Sequence, residues 1–356
     1  MQNLTILSCG RNDRLERLLS DIPALNGAER IDAAAIGAHD LRGRRLLFTV
    51  AVDAYGEDAA LCELLRFLRS HPDCLHGATA AVIIDGATEL DTKDIARRLI
   101  FAANFAGCAF PGKPLVEATG SLQNLAVLQK KNGLPGLDET YRFAVSALLE
   151  RLLSEEPVKK DRPKLLVLHA SDRETSNTLA LGELVTRQLP DFEIETISLR
   201  NGTIHDCRGC SYTICSHFAA QSSCFYGGAM VDEVIPAVLN ADALLLLCPN
   251  YNDAVGANIT AFINRLTGLT VSNALYGRSL YAVVVSGYSG GDLVAQQLLG
   301  ALCLNKALSL PPRFCLIKTA NDPGTALQLP GIAEETQAFA AAIRARLKCA
   351  AMNQNC

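Results

Sequence analysis

The chain repeats itself, and this limits its fold more than any other feature. Leu75-His76-Gly77 followed by the run Ala80 to Gly86 matches Leu275-Tyr276-Gly277 followed by Leu280 to Gly287. The helical spacing Leu61, Leu64, Leu65, Leu68 matches Ile259, Phe262, Ile263, Leu266. Leu134-Pro135-Gly136-Leu137 with Glu139-Thr140 and Phe143-Ala144 matches Leu329-Pro330-Gly331-Ile332 with Glu335-Thr336 and Phe339-Ala340. Three matches in one order at nearly one offset argue for an internal duplication. The first copy is expected to end in a helix over 137–153, and the charged stretch Ser154 to Pro163 reads as a solvated linker. The expected domains are therefore residues 1–156 and 157–356.

Each copy alternates β-like apolar runs with helical patterns, which implies parallel sheets covered by helices on both faces. In the second copy strands are expected near 164–169, 193–199, 243–248, 279–286 and 313–318, and helices near 176–188, 230–240, 256–267, 291–305 and 332–347. Five such units are the count of a flavodoxin-like α/β domain, so the expected fold is two three-layer domains of this kind in tandem. The first copy reads as reduced. Between a strand at Ile31–Ile36 and one at Leu46–Val52 there is no room for a crossover helix. Its opening strand, Leu4 to Leu7, leads to a segment, Ser8 to Arg14, without a hydroxyl cluster. It is expected to hold no cofactor of its own.

Composition removes several classes of function. The balance of 33 basic and 37 acidic residues gives a net charge of −4, and no basic run points to nucleic acid or an anionic membrane. Apolar runs are strand-length, so no membrane span is expected. The start of the chain lacks a charged, apolar leader, and with 13 cysteines this points to a reducing, cytoplasmic setting.

Three loops follow strands one, three and four of the second copy. The first, Ser171 to Thr178, has hydroxyls at Ser171, Thr175, Ser176 and Thr178, plus Asn177, just before a helix. Such a loop can offer hydroxyls, backbone N–H groups and the positive helix end to a phosphate, and Arg173 can add a charge-assisted bond. An ordinary helix cap uses the same residue types. The second loop, Pro249-Asn250-Tyr251-Asn252, offers an aromatic ring to flank a flat ligand and two amides to bond it; a simple turn is the alternative. The third, Ser286-Gly287-Tyr288-Ser289-Gly290, allows close backbone approach. Together they suggest a flavin site at one sheet edge.

Cys207, Cys210, Cys215 and Cys224 cluster after the second strand. Four thiolates in one loop suit an iron–sulfur cubane or tetrahedral zinc, and bare retained thiols are the third reading. Cys62, Cys248, Cys303 and Cys315 lie in apolar patterns and read as small buried hydrophobes. No catalytic acid, base or nucleophile can be assigned from spacing.

Residues 164–347 resemble the NADPH-dependent FMN reductase and iron–sulfur flavoprotein group of the flavodoxin-like superfamily. The resemblance rests on Ser171-Asp172-Arg173…Ser176-Asn177-Thr178, Cys207-Arg208-Gly209-Cys210, Cys248-Pro249-Asn250-Tyr251 and Ala261-Phe262-Ile263-Asn264-Arg265. It implies FMN with its phosphate at 171–178 and its ring near 249–252 and 286–290. It also implies an oxidoreductase, with NAD(P)H or a ferredoxin-like protein as donor and a small molecule or redox protein as acceptor. A [4Fe-4S] cluster would sit on the four cysteines. In related reductases the flavin lies at a subunit interface, so a homo-oligomer or an intramolecular pseudo-dimer is expected. The rival reading is a flavin- or metal-binding regulatory or carrier protein without turnover.

Overall fold

A computed structural model describes residues 4–56, 59–171, 175–200 and 204–349. The chain divides into two compact units, Met1–Glu155 with Leu310–Arg313, and Glu156–Ser309 with Phe314–Cys356.

The first unit holds β1 (Leu4–Cys9), β2 (Glu29–Asp32), β3 (Arg45–Val52), β4 (Thr79–Gly86) and β5 (Leu115–Ala118), side by side in the order β2-β1-β3-β4-β5. The second holds β6 (Lys164–His169), β7 (Glu193–Ser198), β8 (Ala243–Pro249), β9 (Ser279–Ser286) and β10 (Cys315–Thr319), in the order β7-β6-β8-β9-β10. Every pairing is parallel. Both sheets thus have the 2-1-3-4-5 order of a flavodoxin-like fold. The repeat in the sequence is a repeat of architecture.

Burial follows position in the sheet. Leu244 to Leu247 on β8 and Leu280 to Val284 on β9 are buried along their whole length, as expected of central parallel strands covered on both faces. The edge strand β7 instead exposes Glu193 and Glu195, charges that discourage pairing with another chain. The helix Ala59–Ser70 buries Leu61, Leu64, Leu65 and Leu68, and Ile259, Phe262, Ile263 and Leu266 are buried in the second unit. The helix Asn177–Thr186 lies so close to β8 that a Cβ on Gly182 would stand 2.5 Å from Leu247 Cδ1. The last helix, Ile332–Leu347, buries Phe339, whose ring meets Tyr281 of β9 edge-on at 5.9 Å.

The first copy departs from expectation at its second strand. The strand is Glu29–Asp32, and Ala33–Ala38 is a 3-10 helix, not the continuation of a strand to Ile36. The Asp32 side chain accepts from Ala34 N at 3.0 Å, so the carboxylate ends the strand by capping the alanine run. In the second unit the stretch between β7 and β8 carries the helix Tyr212–Ala219, the four cysteines, and the π- and α-helical turns Met230–Val234 and Ile235–Asn240. In the first, only the 3-10 turn stands between β2 and β3. Cys62 is also corrected: it is exposed, while Cys248, Cys303 and Cys315 are buried. Cys62 follows Leu61 in the sequence but points away from the buried helix face. No helix among the described residues is long and apolar enough to cross a membrane.

Candidate functional site

The loops after β6, β8 and β9 share the carboxyl edge of the second sheet, because these strands are consecutive neighbours in it. β7 lies on the far side of β6, so the edge between β6 and β8 is the topological switch point where such folds bind ligands.

Residues 170–176 connect β6 to its helix. Ser171 is buried at 7% exposure, and its Oγ has no hydrogen-bond partner among the described residues. A buried hydroxyl is rarely left so, and a ligand is one way of satisfying it. Ser176 caps the helix Asn177–Thr186, its Oγ accepting from Leu179 N at 3.1 Å. Asn177 does not face the loop with its amide. It clamps the segment after β10, with Nδ2 donating to Asp322 O at 2.8 Å and Oδ1 accepting from Ala326 N at 3.2 Å. Only its backbone N–H remains for a phosphate, since its side chain is spent on structure. Thr178 is buried beside it. Arg173 lies outside the described residues.

The other two loops are latched together. Asn250 Nδ2 donates to Ser286 Oγ at 2.9 Å, Ser289 O at 2.9 Å and Asp253 Oδ1 at 3.1 Å. Asn250 Oδ1 is buried without a partner among the described residues. Tyr251 and Ala254 pair across a tight turn whose central residues, Asn252 and Asp253, have φ of 54° and 57°. That is the left-handed pair of a two-residue hairpin turn, which Asn and Asp tolerate. Gln297 ties the turn down, donating to Asp253 O and accepting from Val255 N, both at 2.9 Å. Gly290 has φ 85°, and a Cβ there would meet Asp253 Oδ1 at 1.8 Å. A Cβ on Gly287 would likewise meet Asn321 Oδ1 at 2.8 Å. Tyr251 and Tyr288 stay 58% and 59% exposed at this edge, two aromatic faces held on a rigid double loop. Asp253, Ser289 and Gln297 complete the latch, and of these sequence reasoning missed Gln297. Its partners lie up to 44 positions away, and no local pattern marks it.

The first unit closes the same edge differently. Only residues 10–12 connect β1 to its helix. Asn12 caps that helix and donates to Asp85 Oδ1 at 2.9 Å. Arg14 fills the corner, bonding the buried Asp85 carboxylate and the carbonyls of Gly86, Thr119 and Gly120. A cavity of about 330 Å³ remains beside it, lined by Gly10, Arg11, Asn12, Asp53 and their neighbours, with no serine or threonine among the described residues of its wall.

Cys207, Cys210, Cys215 and Cys224 come together. They line one cavity of about 30 Å³ with Phe218, Tyr226 and Arg265. Burial pushes the Cys215 thiol up, and the neighbouring Cys210, Cys207 and Cys224 push it further. Asp206 fixes the start of this loop by accepting from Cys207 N at 2.7 Å and Asn264 Nδ2 at 2.8 Å. These two bonds also hold its carboxyl below the usual range. Among the described residues no three His, Cys, Asp or Glu side chains are placed to share one metal ion. Tetrahedral zinc needs all its donors on one centre, so this arrangement does not suit it. A [4Fe-4S] core is larger than this space of about 30 Å³, so as placed the four thiols do not enclose one either.

No curated protein matches this chain. Similar solved structures include RosB with bound 8-demethyl-8-formylriboflavin-5'-phosphate (16% identity, 50% of this chain and 76% of that chain, TM-score 0.39). They also include the apo form of the NADH:FMN oxidoreductase EmoB (13% identity, 54% and 94%, TM-score 0.38). A third is an FMN-dependent NADH-azoreductase from Bacillus anthracis with FMN (12% identity, 51% and 99%, TM-score 0.34). At these identities and scores the likenesses carry no argument about the site. The family match does not depend on them: residues 163–322 match the sequence model of the NADPH-dependent FMN reductases. In strand order, in the three loops at the switch point and in this match, the region 163–322 is similar to the NADPH-dependent FMN reductases.

Proposed function

We propose that the second unit binds one FMN at the ends of β6, β8 and β9 and works as an oxidoreductase. It would take electrons from NAD(P)H or a ferredoxin-like protein and pass them to a small-molecule or protein acceptor. The observation that carries this reading is the buried Ser171 hydroxyl, without a partner among the described residues, at the mouth of a capped helix beside two latched loops at the switch point. FMN would supply the electron-transfer chemistry; the protein supplies position and electrostatics. Ser171, Ser176 and Thr178, with the N-terminal amides of the helix Asn177–Thr186, would hold the phosphate, and Arg173 would add charge. Pro249, Asn250, Tyr251 and Asn252 would flank the ring on one side, and Ser286, Gly287, Tyr288 and Gly290 on the other. The Asn250 latch holds these two loops together.

The stoichiometry follows from the contrast between the units. The segment 170–178 carries hydroxyls at Ser171, Thr175, Ser176 and Thr178, whereas residues 10–12 carry none and Arg14 is already committed to Asp85. Extraction should yield one FMN per chain, and changing Ser171 and Ser176 to Ala should release it. Two flavins per chain would sink the assignment. Reduction of the bound flavin by neither NADH nor NADPH would favour a carrier or regulatory role.

A second reading concerns the cysteines. We propose that Cys207, Cys210, Cys215 and Cys224 hold a [4Fe-4S] cluster, a reading that rests on the resemblance carried by Cys207-Arg208-Gly209-Cys210 and on four thiols lining one cavity. The space is about 30 Å³, so uptake requires the exposed turn at Cys207 to move outward. Anaerobically prepared protein should then contain about four irons per chain, and Cys210→Ser should remove them while sparing FMN. Bare thiols would leave a metal-free protein with full flavin content; zinc would appear in metal analysis without iron.

A further inference from the structure

β6 ends in a buried imidazole. Leu165 and Val167 belong to the apolar core, and His169 continues their face of the strand at 2% exposure. An apolar residue would fill this position without desolvating a polar ring, so what the histidine adds is its hydrogen bonding. Its Nδ1 meets the backbone N–H of Ser171 at 3.4 Å in a buried bond. A backbone N–H only donates, so Nδ1 accepts, and a ring nitrogen accepts only when it carries no proton. The bond therefore fixes which nitrogen is the acceptor.

Ser171 carries two polar groups at this point. Its N–H is taken by His169, while its Oγ is buried without a partner among the described residues. At the other end of the connection, Ser176 Oγ accepts from Leu179 N and keeps its own proton to give. A phosphate offers acceptors, so two hydroxyls that can donate, one at each end of the loop, suit it. In the first unit the strand ends in Cys9, and Asn12 and Arg14 close the corner. The histidine thus goes with the copy that has the hydroxyl loop.

Resting on the flavin reading above, we infer that His169 is a positioning residue for the FMN phosphate. By accepting from Ser171 N it fixes the backbone at the start of the loop, and with it the direction in which the Ser171 hydroxyl leaves the chain. Without that acceptor the N–H is a buried donor left unpaired, which is costly. The loop then turns to satisfy it, and the hydroxyl turns away from the phosphate. His169 acts through Ser171 and not by contact with the flavin.

The test uses the full chain as wild type, His169→Leu and His169→Asn, titrated with FMN and with riboflavin by quenching of flavin fluorescence. Riboflavin lacks the phosphate, so it reports the ring loops and the folding of the second unit. Leucine keeps the apolar face and removes the acceptor. Its FMN affinity should fall about 5- to 140-fold, the cost of a buried N–H left unpaired, with riboflavin affinity unchanged. Asparagine places Oδ1 as many bonds from Cβ as Nδ1 and should bind FMN nearly as wild type does. Equal FMN affinity in wild type and the leucine variant overturns the inference. So does an equal loss of FMN and riboflavin affinity in the leucine variant, which marks a structural role only. If the leucine variant binds neither ligand, the asparagine variant decides. Wild-type affinity for both ligands there supports the inference; weakened FMN binding there overturns it. A wild type that binds FMN no more tightly than riboflavin removes the phosphate assignment and the inference, but leaves the ring loops standing. A wild type that binds no FMN removes the flavin reading as well.

Discussion

Gly290→Ala tests how the flavin loops are held. Gly290 has φ 85°, and raising a side chain into the left-handed region costs about 1–2 kcal/mol. The new methyl would also stand 1.8 Å from Asp253 Oδ1, so the carboxylate must leave. Its 3.1 Å bond from Asn250 Nδ2 goes with it, a net loss of about 1 kcal/mol. Together the change raises the closed loop by about 2–3 kcal/mol. If FMN binds only the closed loop, its affinity should fall roughly 30- to 140-fold, at 1.4 kcal/mol per factor of ten. Titration by quenching of flavin fluorescence reads this directly. Repeating it in an Asp253→Ala background separates the two parts. With the carboxylate gone only the backbone part remains, so the glycine change should there weaken binding about 5- to 30-fold. Affinity unchanged by Gly290→Ala, or the same loss in both backgrounds, would refute the latch.

Other perturbations probe the scaffold. Gly182→Ala forces a methyl to within 2.5 Å of Leu247 Cδ1 and should destabilise the second unit by about 1–3 kcal/mol in denaturant unfolding, with Leu247→Ala relieving part of the loss. Arg14→Met leaves the 1%-exposed Asp85 carboxylate unpaired and should cost the first unit about 3–5 kcal/mol, while FMN binding by the second is unchanged. Arg344 and Lys348 hold the Asp191 carboxyl well below the usual range. A depressed folded pKa contributes stability above the unfolded value, near 3.9, and loses it as pH falls toward the folded one. Asp191→Asn should therefore lower stability at neutral pH and flatten the loss below about pH 4, as read from Tm against pH.

Local pattern was enough for the duplication, the strand order class and the placing of three loops at the strand ends. Period-2 and period-3.6 spacings report which face of a strand or helix is buried, and Leu61 to Leu68 or Ile259 to Leu266 turn up on the faces their spacing names. The alanine run at 33–35 misled, because a capping carboxylate competes with the strand ladder and spacing does not register a cap. The serine at 171 was legible as a candidate, but that its hydroxyl is left without a partner follows only from packing. Asn177 reads as a ligand group in the sequence, and in the structure its side chain bonds Asp322 O and Ala326 N, nearly 150 positions away. The Asn250 latch and the placing of Arg265 against four cysteines depend on segments that meet only when β6, β8 and β9 lie side by side and the following helices pack over them. Sequence thus determines which elements form, because propensity and periodicity are local. Which polar groups are satisfied and which are left without a partner is decided by the tertiary structure, because desolvation depends on what surrounds an atom from every side.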